Sequence, residues 1–169
     1  MDDIFRPEQK KRGINPVFII GLVVGLAIIG VALYALSFKP PMEQQTANLL
    51  AGAVRAGDPT FDAVNKDILI STDLDNTVES PTGLGTISMF IKGKVRNKGN
   101  RNVTALEVNV AIITQKNEVI RDKNILVVPV QQPDLPAGEV IPITLTLDGF
   151  DRKDDRANIR WKVTAIKVE

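Results

Sequence analysis

The sequence predicts a mainly β protein, in which one N-terminal transmembrane α-helix is followed by an antiparallel β-sandwich of about seven strands. Three observations predict it. Residues 17–36 contain no charge, no amide and no proline. From Asp67 onward the apolar residues recur at every second position, the period of a half-buried strand. Turn-forming clusters punctuate that alternation at short intervals, as in a sandwich rather than a βαβ fold.

The apolar run comes first. At the rise of an α-helix, about twenty residues span roughly 30 Å, the thickness of a bilayer's hydrocarbon core. Thirteen of the residues in 17–36 are Val, Ile, Leu or Phe, for which insertion gains roughly 4–8 kcal/mol as an upper figure. Asn15-Pro16 reads as a helix start and Lys39-Pro40-Pro41 as its end. The run therefore predicts a basic tail over 1–15 and a span over 16–38. Arg6, Lys10, Lys11 and Arg12 precede the span, and Lys39 alone follows closely. Such a flank stays in the cytoplasm. The expected location is a cytoplasmic (inner) membrane, with the N-terminus inside and the C-terminal region periplasmic or extracellular. The rival reading is a cleaved signal peptide, whose apolar core is normally about 7–15 residues and so shorter than this one.

Residues 39–66 read as a juxtamembrane connector. Leu49, Leu50, Ala53 and Val54 share one face at helical spacing, so a short helix fits within 43–56. Gly57-Asp58-Pro59 would break it, and a loosely ordered stalk is the equal alternative. The sandwich is expected over 67–169. A first strand covers Ile68–Asp73. In the second, Ile87, Met89, Ile91, Gly93 and Val95 alternate with Ser88, Phe90, Lys92 and Lys94. Asn97–Asn100 is a turn signal, and Leu106, Val108, Val110 and Ile112 form the inward side of the next strand. Lys116-Asn117 turns again, and Val119–Val130 supplies one or two strands. Leu135–Glu139 is a tight connection before Ile141, Ile143, Leu145 and Leu147. Ile159, Trp161 and Val163 mark the last strand, with Trp161 as a core residue. The alternation slips at Ala165-Ile166, which predicts a bulge.

Composition narrows the function. The chain has no cysteine and no histidine. The first means that an exported domain is held by packing alone. The second removes the usual general base and the commonest metal ligand. Together they exclude a structural zinc site. The region after Lys39 holds 16 basic and 17 acidic residues. That balance gives no bulk attraction to nucleic acid. No phosphate-binding glycine loop appears, and no cofactor or small-molecule substrate is implied.

The run Ile91-Lys92-Gly93-Lys94-Val95-Arg96-Asn97-Lys98-Gly99, followed by Val103, Leu106, Val108 and Val110 and then Leu135-Pro136-Ala137-Gly138-Glu139, resembles the FxLYD-type domains and related membrane-anchored bacterial domains of unknown function. They share a G-x-V-x-N-x-G strand-turn, a central strand, an L-x-P-G-E-like turn and a closing strand. The resemblance covers roughly residues 67–168. This chain departs from it at Ile113-Thr114-Gln115, where Leu-Tyr-Asp would fall, and in Ala137 between Pro136 and Gly138. The resemblance implies an immunoglobulin-like sandwich on a membrane anchor. It implies no activity and transfers no catalytic residue.

Several clusters merit scrutiny. Gly21 and Gly25 form G-x-x-x-G within the span, with Ala32 on the same face, a pattern that lets two helices approach closely. Glycine is also simply common in such helices. Lys92, Lys94, Arg96 and Lys98 recur at every second residue. They form either a basic face for anionic headgroups or an acidic partner, or a solvated face with cross-strand partners such as Glu107. Asp148, Asp151, Asp154 and Asp155 crowd one loop, interleaved with Arg152, Lys153 and Arg156. Their spacing matches no calcium loop, and a charged soluble loop accounts for them. Asn102-Val103-Thr104 is a formal glycosylation sequon.

The function expected is that of a non-catalytic accessory subunit, scaffold or interaction protein in a membrane-associated assembly. It would meet the lipid bilayer and protein partners through the helix or the sandwich surface. One alternative is a peptide- or glycan-binding module that uses a sheet edge. Another is an enzyme working with carboxylates alone, for which Asp148, Asp151 and Asp154 are the only loop cluster to suspect. It lacks a nucleophile–base pair.

Overall fold

A computed structural model describes residues 16–37 and 42–169. The basic tail, Asn15 and Lys39-Pro40-Pro41, on which the expected orientation and helix ends rest, lie outside the described residues. The chain divides into two compact units, 1–42 and 43–169.

In the first unit, helix α1 covers Pro16–Ser37. Its stretch Val17–Ala35 is long and apolar enough to cross a membrane, and none of it is buried among the described residues. A core helix of a soluble protein hides an apolar stripe; this one is apolar on every side.

The second unit is a two-layered antiparallel β-sandwich. One layer, sheet A, has the order β1 (Val54–Arg55), β8 (Asn158–Val168), β5 (Val103–Ile113) and β6 (Val119–Val128). In the other, sheet B, the central strand β4 (Ile87–Asn97) pairs on one side with β7 (Val140–Phe150). On its other side β4 pairs with β2 (Ile68–Thr72) and β3 (Val78–Pro81) in turn. A single 3₁₀ turn, Leu74–Asn76, separates those two. They behave as one edge strand with an interruption.

The core lies between the layers. Leu106, Val108, Val110 and Ile112 are fully buried on the inner side of β5, as their alternation predicts. In sheet register Val110 pairs with Trp161 and Val108 with Val163. From sheet B, Ile91, Val95, Ile143 and Leu147 meet them. Gly93 belongs to this interface. A Cβ there would lie 2.8 Å from the Ser71 carbonyl oxygen and 3.0 Å from Trp161 Cζ2, so the missing side chain makes room for the indole. The indole Nε1 in turn donates to Thr72 Oγ1 at 2.7 Å, which ties the two layers together. The expected bulge is present. Glu107 pairs with Ala165 and Val108 with Val163, so Thr164 is the extra residue and the residues after it change face.

The segment expected as a connector over 39–66 is in large part built into the sandwich. Helix α2 covers Met42–Leu49 and ends well short of residue 56. Leu50 follows it and packs on Ala105 and Ala165, outside sheet A. Helix α3 (Phe61–Asn65) places Phe61 and Val64 in the main core. The compact unit therefore begins at Glu43 and not at Asp67. The physical reason is that sheet A presents two small residues, Ala105 and Ala165, where a larger side chain can seat.

Candidate interaction surfaces

Asn97 fixes one end of the sandwich. It is the one polar residue buried as a whole among the described residues, 2% exposed. Its Nδ2 donates to the carbonyls of Arg101, Leu135 and Pro136 at 2.7, 3.2 and 3.2 Å. Its Oδ1 accepts from the Gly99 N–H at 2.9 Å. One amide thus joins the β4–β5 turn to the 135–139 connection. Within that connection Glu139 N–H bonds Pro136 O, and Gly138 adopts φ +80°, the third position of a type II turn. Ala137 is accommodated without disturbing it.

The basic row divides. Lys92, Lys94 and Arg96 stand on the outer side of β4. Lys98 lies past the end of the strand, in the turn that the inward-facing Asn97 anchors. Glu107 is not a cross-strand partner of this row. It sits in the other sheet, where Thr164 Oγ1 donates to it at 2.6 Å. The sequence reading missed Leu69 and Val140 on this face. They flank Arg96 from β2 and β7, and only the strand register reveals it.

The carboxylates of the acidic loop are taken up by hydrogen bonds within the loop and to the segments beside it. Asp154 Oδ2 accepts from the Asp151 N–H, Asp151 Oδ1 from the Lys153 N–H, and Asp155 Oδ2 from the Gln115 N–H. Asp148 accepts from Ser88 Oγ. Arg156 straps the loop down. Its Nε and Nη2 form a two-pronged pair with Glu79, each at 3.0 Å, and its Nη1 donates to the Asp151 carbonyl at 2.7 Å. The Glu79 hydrogen bond, against the opposing effect of burial, raises the guanidinium pKa above its ordinary value. Arg156 and Arg121 also lie over Phe150, 5.8 and 5.9 Å from its ring centre. Among the described residues, no group of three or more acidic, His or Cys side chains could hold a metal.

In the sequon, Asn102 Oδ1 accepts from the Ala137 N–H at 3.1 Å. The Thr104 hydroxyl is buried without a partner. Gly21, Gly25 and Ala32 lie on α1 at spacings of four and seven residues, on one helical face. Among the described residues, a Cβ at Gly21 or Gly25 would meet nothing within 4 Å.

The two lateral seams of the sandwich differ. At the β7 edge, the Gln131 side-chain amide donates to Thr144 O and accepts from Thr144 N–H, at 2.8 and 2.9 Å. Arg121 donates to Gly149 O. Side chains there take the bonds that a neighbouring strand would make. At the opposite seam, β1 pairs only with Ala165 and Ile166 of β8. The rest of that edge borders a cleft of about 250 Å³ lined by Asn65, Ile68, Ile70, Trp161, Lys162 and Val163.

No protein-family model and no curated protein matches the chain. Among solved structures it is similar to a Bordetella pertussis protein provisionally designated ApaA. The two are 14% identical with a TM-score of 0.36, over 60% of this chain and 91% of that one. A likeness of that degree carries no argument about fold or function.

Proposed function

We propose that the protein is a single-pass membrane-anchored interaction module, in which α1 is the anchor and the sandwich is a non-catalytic accessory or scaffolding domain outside the cytoplasm. One observation carries the reading: the apolar stretch Val17–Ala35 is nowhere buried among the described residues, while a separate compact unit holds its own core. An apolar helix of that length exposed to water would be strongly unfavourable, and lipid is the solvent that suits it. The basic residues before it favour a cytoplasmic N-terminus. The strand-turn motifs support kinship with the FxLYD-type domains as part of the same proposal. A second reading, an acceptor for an extended peptide, is favoured by the unpaired β8 edge beside the 250 Å³ cleft.

A reporter active only outside the cytoplasm, fused after Glu169, is expected to be active, and alkaline washing should leave the fusion in the membrane fraction. Activity of a cytoplasm-only reporter at the same position would overturn the orientation. Release by alkali would overturn the anchor.

A further inference from the structure

The two outer faces of the sandwich are chemically unlike. That of sheet A is mixed in charge, with Arg160 and Lys162 of β8 set among Glu107 of β5 and Asp122 of β6. Asn109 donates to Asp122 and Asn124, and Thr164 donates to Glu107. That of sheet B is cationic and unanswered. Lys92, Lys94 and Arg96 stand in a row on the central strand, and none forms an ion pair with a described carboxylate. Their paired neighbours within the strands are uncharged: Thr144 beside Lys92, Ser71 and Pro142 beside Lys94, Leu69 and Val140 beside Arg96. A solvated basic strand is ordinarily offset by acids at those positions. Asp73, just past the end of β2, donates its N–H to the Lys92 carbonyl, and its carboxylate accepts from the Asn76 amide rather than pairing with Lys92. The carboxylate that β7 brings to this face, Asp148, is at its far end and is held by Ser88.

Apolar side chains stand between and beside the cations. Leu69, Phe90 and Val140 are 45%, 37% and 47% exposed, and Lys92 Nζ lies 5.6 Å from the centre of the Phe90 ring. The face is an open pleated surface, with cations that reach outward and apolar groups at the same level. A headgroup layer matches that combination, since phosphates take the ammonium and guanidinium groups while aliphatic and aromatic side chains enter the interface.

We propose that this outer face of sheet B docks on an anionic lipid bilayer through the lipid phosphates. The inference rests on the reading of α1 as a membrane anchor. Only residues 38–41 separate α1 from α2 in the chain. A bilayer that holds the helix is therefore always present to the domain at high effective concentration, so a modest attraction suffices.

The chain has no cysteine, so single-cysteine probes report one position each. The full-length protein, labelled with an environment-sensitive fluorophore at Ser71→Cys on this face or at Asn124→Cys on the other, would be reconstituted into two kinds of liposome. One is pure phosphatidylcholine and the other contains phosphatidylglycerol. The Ser71→Cys probe is expected to be quenched by spin-labelled lipid only in the anionic liposomes, and the Asn124→Cys probe in neither. Replacing Lys92, Lys94 and Arg96 together by Gln should reduce that quenching roughly tenfold or to background, as should molar salt. These side chains point to solvent, so the fold should survive the change, with unchanged thermal melting as the control. Equal quenching in both liposomes, or no effect of the triple substitution, overturns the proposal. The second result would leave the face to an acidic protein. Alkaline extraction of the same samples reads the anchor separately. The probe reports contact with lipid whether or not α1 is inserted, so the two ideas fail independently.

Discussion

Asn97 and Thr104 are opposite cases of a polar group removed from water. The Asn97 amide meets three carbonyls and one N–H, and its Nδ2 offers donors to a side that holds acceptors alone. Asn97→Asp would keep the shape and replace those donors with a carboxylate aimed at three carbonyl oxygens. Such a group costs about 3 kcal/mol or more. The introduced carboxyl would have its pKa raised in the folded state by burial and by those carbonyls. Its protonated form can still donate one bond. The folded state would then bind the proton more tightly than the unfolded one. The deficit should be smallest below about pH 4 and grow as pH rises through the ordinary Asp pKa. Urea melts of the variant and the parent at several pH values would test this, and a deficit independent of pH would refute the geometry. Thr104 is the reverse. Its hydroxyl is buried with no partner, and Val has nearly the same shape without the unmet group. Thr104→Val is expected to stabilise the protein by about 1 kcal/mol, seen as a melting temperature higher by a few degrees. A lower melting temperature would mean that the hydroxyl has an acceptor.

At the scale of elements, the decisive pieces are the ones before Asp67. Leu50, Phe61 and Val64 are nearly fully buried, and each is worth about 1.5–3 kcal/mol when removed from water. Their sum rivals the whole stability of an ordinary domain. Residues 43–169 are therefore expected to give a soluble, cooperatively melting fragment without detergent. Residues 67–169 should be aggregated or molten. Equal stability of the two fragments would show that α2 and α3 are ornaments on a sandwich complete without them. The strands themselves were legible in the sequence, because Ile87–Val95, Leu106–Ile112 and Ile141–Leu147 alternate without interruption. The bulge was legible too, as two consecutive apolar residues at Ala165-Ile166. What could not be read were β1 and β3, two and four residues long. Val54-Arg55 and Val78-Glu79-Ser80-Pro81 carry no period, and only the strands they lie against make them strands. The seating of Leu50 was hidden for the same reason, since Ala105 and Ala165 are eye-catching only once they are neighbours. The basic row was visible as a row. Its want of acidic partners was not, because that depends on β2 and β7 and their register.

For the whole molecule, the question is where a membrane partner would be held. The sandwich face that we assign to lipid leaves α1 as the place for lateral protein contact. Leucine and isoleucine gain nothing by leaving lipid for another helix, so association there must come from close packing at small residues. Gly21, Gly25 and Ala32 form such a face, and nothing among the described residues fills the space above the two glycines. Changing both glycines to Ile keeps the stretch apolar, so insertion and membrane level should be normal. The added side chains should hold a neighbouring backbone away and weaken association by roughly tenfold or more, measured by crosslinking in membranes or on native gels in mild detergent. Ala32→Ile, a turn or two further along the same face, should have the same sign and a smaller effect. Gly30→Ile, off that face, should have none and serves as the control for helix bulk. If the double variant associates as the parent does, the contact belongs to the sandwich, and the open β8 edge beside Trp161 becomes the next place to substitute.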